Sequence, residues 1–119
     1  MSENRVYETT YLVTPDLEAA AYDQIVAKFR QLLQDNGATI THQEVWGMQK
    51  LAYEIEGKGS AYYVLTEYTS SNQELVYKLE QEYTYDERIV RFLTVRLDKH
   101  AVAYNNKRKT KVKATAPAL

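Results

Sequence analysis

The sequence predicts one α+β domain whose elements follow in the order strand, helix, strand, strand, helix, strand, with two helices on one face of a four-stranded antiparallel sheet. Three observations predict it. Runs rich in β-branched and aromatic residues alternate with segments whose apolar residues recur at helical spacing. Turn and cap signals built on Gly, Pro and Asn fall at the boundaries. The length, 119 residues, is that of one ordinary domain, enough to bury roughly two-thirds of its unfolded surface.

Taken in order, Val6-Tyr7-Glu8-Thr9-Thr10-Tyr11-Leu12-Val13 reads as the first strand and stops at Thr14-Pro15-Asp16. Thr14 is the expected helix cap, Pro15 suits the first helical position, and Asp16 and Glu18 suit the positive end of the helix dipole. Leu17, Ala21, Ile25, Phe29, Leu32 and Leu33 give a helix of about five turns, closed by Asn36-Gly37. Ala38–Trp46 returns to strand character, and Met48–Ile55 continues it past Gly47. Gly57-Lys58-Gly59 is the expected hairpin turn into Tyr62-Tyr63-Val64-Leu65-Thr66. Ser71-Asn72-Gln73-Glu74 has the form of a capping box, and Leu75, Val76, Leu79 and Tyr83 form the buried stripe of the second helix. Ile89–Leu97 is the last strand. This order is the split βαβ arrangement called ferredoxin-like, assigned here to residues 1–98; it leaves one sheet face open to a partner.

Charge divides the chain where periodicity ends. The net charge is −1, yet residues 1–98 carry −7 and residues 99–119 carry +6, with no Asp or Glu in that C-terminal segment. Residues 99–119 are expected to form a basic, flexible tail; on an acidic body such a tail is either a footprint of contact with a polyanion or a solubilising end, and the first reading singles out Lys107, Arg108, Lys109, Lys111 and Lys113. There is no cysteine, hence no disulfide or thiolate metal site, and two histidines do not make a metal cluster. The N-terminus lacks a signal-peptide pattern and no apolar run approaches the roughly 20 residues of a membrane span, so a cytoplasmic protein with no membrane contact is expected.

Catalytic chemistry finds little support. His42 and Glu44 are two residues apart on one side of a strand, but no nucleophile accompanies them, and a surface polar pair is the expected state. Gly57-Lys58-Gly59 lacks a phosphate-loop continuation, and Glu80, Glu82, Asp86 and Glu87 lack calcium-loop order and are expected to form a solvated acidic face. No enzyme activity, cofactor, metal or small-molecule substrate is expected. Tyr7, Tyr11, Tyr62, Tyr63 and Tyr68 fall on strands, which invites comparison with the RNA-recognition motif and its stacking aromatics. Ser60 and Tyr63 break that motif's signature and the acidic body lacks its positive field, so core or protein-interface packing is expected of these rings. Among body cations, Lys50 lies beside the hairpin, and Arg88, Arg91 and Arg96 lie around the last strand. Odd separation sets Arg91 on the opposite strand face from the other two.

Trp46-Gly47-Met48-Gln49-Lys50-Leu51-Ala52-Tyr53-Glu54-Ile55 closely resembles the central signature of the bacterial small-subunit ribosomal protein S-six family. Tyr7-Glu8 with Thr14-Pro15-Asp16, Tyr83–Arg91 and Lys99-His100-Ala101-Val102 are similar to further family segments in the same order. The resemblance implies a non-enzymatic ferredoxin-like protein that pairs with ribosomal protein S-eighteen and binds the central domain of small-subunit ribosomal RNA. It implies Lys50 and Arg91 as contacts to RNA or partner. Many members carry two arginines where this chain has Met48-Gln49, and a proline where it has Glu54. That departure shifts the expected RNA contact toward the tail and the protein partner.

Overall fold

A computed structural model describes residues 5–98. The elements are β1 (Arg5–Val13), α1 (Ala19–Asp35), β2 (Thr39–Ile55), β3 (Lys58–Ser70), α2 (Glu74–Tyr85) and β4 (Ile89–Leu97), and the sheet order is β2-β3-β1-β4 with antiparallel neighbours throughout. The predicted ferredoxin-like architecture is therefore present, with β1 and β3 central and β2 and β4 at the edges.

Strand alternation decides which side chains meet the helices. Tyr7, Thr9, Tyr11 and Val13 of β1 stand opposite Tyr68, Thr66, Val64 and Tyr62 of β3 on the helix-covered face. Tyr22, Ile25, Phe29 and Leu33, spaced three and four residues apart, supply the buried stripe of α1, and Leu75, Leu79 and Tyr83 that of α2. The rings interlock: Phe29 lies 5.2 Å from Tyr11 and 4.7 Å from Tyr83 between centroids, and Tyr83 lies 5.2 Å from Phe92. A buried phenol hydroxyl left without a hydrogen-bond partner costs stability. The Tyr83 hydroxyl has one in Thr9 Oγ1 at 2.9 Å, and Thr94 Oγ1 donates to the same Thr9 oxygen at 2.8 Å, which ties α2 to β1 and β4. The strand tyrosines thus serve mostly as core: Tyr7, Tyr11, Tyr63 and Tyr68 are all buried.

Three local expectations are corrected. Thr14 does not cap α1, which starts only at Ala19; the Thr14 N–H donates to the Arg88 carbonyl at 2.8 Å, so the residue stays attached to the sheet. The segment between is held instead by Tyr22, whose hydroxyl donates to the Thr14 carbonyl at 2.9 Å and accepts the Leu17 N–H at 3.3 Å. Asp16 accordingly lies before the first helical turn, where it pairs with Lys58 of the hairpin. Ser71 does not form the capping box. Asn72 Oδ1 accepts the Glu74 N–H at 3.0 Å, and the Asn72 N–H is itself held by Ser70 Oγ at 3.0 Å, so the polar turn caps α2 one residue later than expected.

The end of α1 agrees with the sequence. Gly37 adopts φ +83°, the Gly37 N–H returns to the Gln34 carbonyl and the Ala38 N–H to that of Leu33, a Schellman closure. Between β2 and β3 the reversal is Glu56-Gly57 rather than Gly57-Lys58-Gly59, because Ile55 already pairs with Lys58. Both turn residues have positive φ, 51° at Glu56 and 78° at Gly57, as a type I′ hairpin requires. Glutamate is strained in that region and asparagine is not. The substitution Glu56→Asn is expected to raise stability by about 0.5–1 kcal/mol, read as an increase in the urea midpoint at unchanged slope.

Candidate nucleic-acid interface

The candidate cations of the body occupy different parts of the fold. Lys50 is exposed on β2 opposite Ser60 of β3, where the two-stranded hairpin runs on toward its turn. Arg91 is exposed on β4 opposite Leu12, on the face away from the helices. Arg96 is opposite Tyr7 and therefore on the helix side of the same strand. Arg88 precedes β4 and is taken up by Asp86, to which its Nε and Nη2 donate at 2.8 and 2.7 Å. The parity argument thus holds for Arg91 against Arg96, and these residues do not form one patch. Lys107, Arg108, Lys109, Lys111 and Lys113 lie outside the described residues, as does His100.

Asp86 is the residue whose role the sequence does not reveal. Expected on a solvated acidic face, it has instead a side chain only 5% exposed that accepts from Arg88 and from Lys28 Nζ of α1 at 2.9 Å. Its Oδ1 also accepts the Arg88 N–H at 3.0 Å. The Arg88 guanidinium, foremost, and then Lys28 hold the carboxyl well below the usual carboxylate range against the opposing effect of burial, and Asp86 in turn raises Arg88. One carboxylate joins α1, the end of α2 and the start of β4. The only sequence signal for it is the Asp-x-Arg spacing at a helix end.

On the open face, His42, Glu44 and Trp46 follow one another on β2. Glu44 accepts from Trp46 Nε1 at 2.7 Å and meets His42 Nε2 at 2.6 Å. The pair expected of His42 and Glu44 is present, but partly buried and not at the surface, and the indole completes it. Trp46 stacks on Tyr63 with ring planes 8° apart, over a small second core of Leu12 and Ala61 packed by Leu51, Ile55 and Val90. Burial pushes the Tyr63 phenol up, and the nearby Arg91 guanidinium draws it partly back. Arg91, Tyr63 and Trp46 thus share one end of the open face. Further along it, Glu8 of β1 stands opposite Glu67 of β3, which stands opposite His42 of β2.

An RNA-recognition-motif platform needs stacking rings on the open face of the first and third strands. Tyr7, Tyr11, Tyr62 and Tyr68 instead face the helices, and Tyr62 is stacked on Tyr22 at 4.2 Å. Tyr63 is on the open face but is 5% exposed beneath Trp46. Among the described residues no group of three or more His, Asp or Glu is arranged to hold a metal, and no helix is long and apolar enough to cross a membrane.

Comparison with known proteins agrees with this geometry. A family model described as Ribosomal protein S6 matches residues 6–96. A small ribosomal subunit protein bS6 of Flavobacterium psychrophilum is 43% identical over 109 residues, covering 92% of this chain and 96% of that protein. Its counterpart in Porphyromonas gingivalis is 43% identical over 104 residues, covering 87% of this chain and 88% of that protein. The crystal structure of 30S ribosomal protein S6 from Thermotoga maritima shares the fold, with a TM-score of 0.78 at 22% identity over 92% of this chain and 100% of that one. With the family model spanning nearly all of the described domain and such relatives aligned along most of the chain, this protein belongs to the ribosomal protein S6 family, structural and non-enzymatic components of the small ribosomal subunit.

Proposed function

We propose that this protein binds the central domain of small-subunit ribosomal RNA as a pair with ribosomal protein S-eighteen, and that its affinity for RNA depends on the pair. The observation that carries the reading is the charge division: residues 1–98 are at −7 and residues 99–119 at +6 in a member of a ribosomal family. An acidic domain repels a phosphate backbone and attracts a cationic protein, so the body suits a protein partner and the basic segment suits RNA.

The placement of the body cations supports the same division. Arg88 is engaged by Asp86, and Arg91 and Arg96 lie on opposite faces of β4, so the domain presents no concentrated phosphate-binding stripe of its own among the described residues. Lys50 and Arg91 are the exposed body cations that this reading assigns to RNA or partner contact.

Titrating a central-domain RNA fragment with this protein alone and with an equimolar S-eighteen-type partner tests it. Affinity at least roughly tenfold tighter in the presence of the partner is expected, a coupling of about 1.4 kcal/mol. Equal affinity in the two titrations would overturn the proposal.

A further inference from the structure

β4 is an edge of the sheet, and its outer side has no strand partner among the described residues. The two edges differ in regularity. β2 shifts register against β3 at three places, and bulged edges of that kind resist the addition of a further strand. β4 keeps one register with β1 from Leu97 opposite Val6 to Arg91 opposite Leu12. Its sequence, Ile-Val-Arg-Phe-Leu-Thr-Val-Arg-Leu, holds no Pro, Gly, Lys, Asp or Glu. A regular edge rich in β-branched and apolar residues is a template for another strand.

The side chains specify which strand fits. Leu93 and Val95 point to the open face and are 54% and 39% exposed, whereas Phe92, Thr94 and Arg96 stand on the helix side. There Phe92 shares a depression of about 360 Å³ with Tyr77, Glu80 and Tyr85 of α2, and its lining holds one carboxylate and no cation. Tyr77 and Tyr85 are 71% and 75% exposed. Aromatic rings beside a carboxylate suit a guanidinium, which stacks on the one and pairs with the other. The complementary strand therefore carries an apolar residue to meet Leu93 and a cation to meet Phe92, and β4 itself is such a strand. Laid antiparallel against its own copy about Thr94, it sets Leu93 opposite Val95 and Phe92 opposite Arg96, each contact made twice by symmetry. Arg91 falls opposite Leu97, so no two cations face each other.

We propose that two copies of this chain pair edge to edge through β4 in this register. Their two four-stranded sheets become one, Leu93 and Val95 close over each other on the open face, and Arg96 of each copy enters the depression beside Phe92 of the other. Pairing covers the exposed strand edge of the free protein.

Sedimentation equilibrium of the full chain is expected to give a mass that rises with concentration from 13.8 kDa toward twice that value. Arg96→Glu brings a carboxylate to Glu80 of the other copy, and Leu93→Lys puts a charge in the apolar contact. Each is expected to weaken pairing at least roughly tenfold. Both positions are exposed, so circular dichroism of the variants should match that of the natural chain. The register has its own test, because the chain has no cysteine. Leu93→Cys and Val95→Cys chains, mixed under mild oxidation, are expected to form the mixed disulfide, and neither variant to cross-link with itself. A mass of one chain at every concentration would overturn the proposal. So would a dimer indifferent to both charge substitutions, or cross-linking as ready within either cysteine variant as between them. Neither RNA nor a second protein is present, so failure here leaves the cooperative reading standing, and loss of cooperativity leaves the pairing standing.

Discussion

Replacing Asp86 with alanine is expected to cost about 2–3 kcal/mol of folding stability, a large effect for a single polar side chain. The carboxylate accepts from Arg88 Nε and Nη2, from Lys28 Nζ and from the Arg88 N–H, and its side chain is 5% exposed. Removing it strands a backbone donor and two cations at the junction of three elements. The loss stays below that of a fully buried pair because the Arg88 and Lys28 side chains are 37% and 41% exposed and can rehydrate. The pH dependence gives an independent check. The folded-state pKa of Asp86 is depressed, so its contribution is fully present above the ordinary carboxylate value of about 4 and is lost as pH falls through and below it. The stability gap between the natural protein and Asp86→Ala, from urea unfolding, should therefore be widest at neutral pH and shrink at about pH 3. A gap that stayed constant across that range would show that the carboxylate acts through packing and not through charge.

Asp86 also marks where sequence reasoning stops. The elements are legible because their signals are periodic: Tyr22, Ile25, Phe29 and Leu33 share one face of a helix however the rest of the chain folds, and Asn36-Gly37 ends it through backbone conformation alone. Capping is legible only in part, since a cap competes with tertiary partners. Thr14 is an adequate cap on local grounds, but the Arg88 carbonyl takes its N–H and Tyr22 takes its carbonyl. Asp86 looks like its neighbours Glu82 and Glu87 until the packing of α1 brings Lys28 to it across 58 positions. The interface follows the same rule. Charge division and the parity of Arg91 against Arg96 are properties of the sequence, whereas the Glu8–Glu67–His42 row exists only because strand order places β3 between β1 and β2. Non-local pairing of that kind leaves no local trace.

The largest effect on function is expected from the C-terminal cations. With the S-eighteen-type partner present, substituting glutamine for Lys107, Arg108, Lys109, Lys111 and Lys113 together should flatten the dependence of log K on log salt by roughly 3.5–4.5, if each cation forms one phosphate pair worth 0.7–0.9 of slope. Over a fourfold rise in salt the natural chain should then lose roughly 100- to 500-fold more affinity than the variant. Stability should not change, because these residues follow the last strand, so the experiment separates binding from folding. The same comparison without the partner completes a cycle of four measurements, whose coupling reports how far the partner and the C-terminal cations act together on RNA. Equal slopes for the two chains in the presence of the partner would assign the segment a solubilising role and return RNA contact to Lys50 and Arg91.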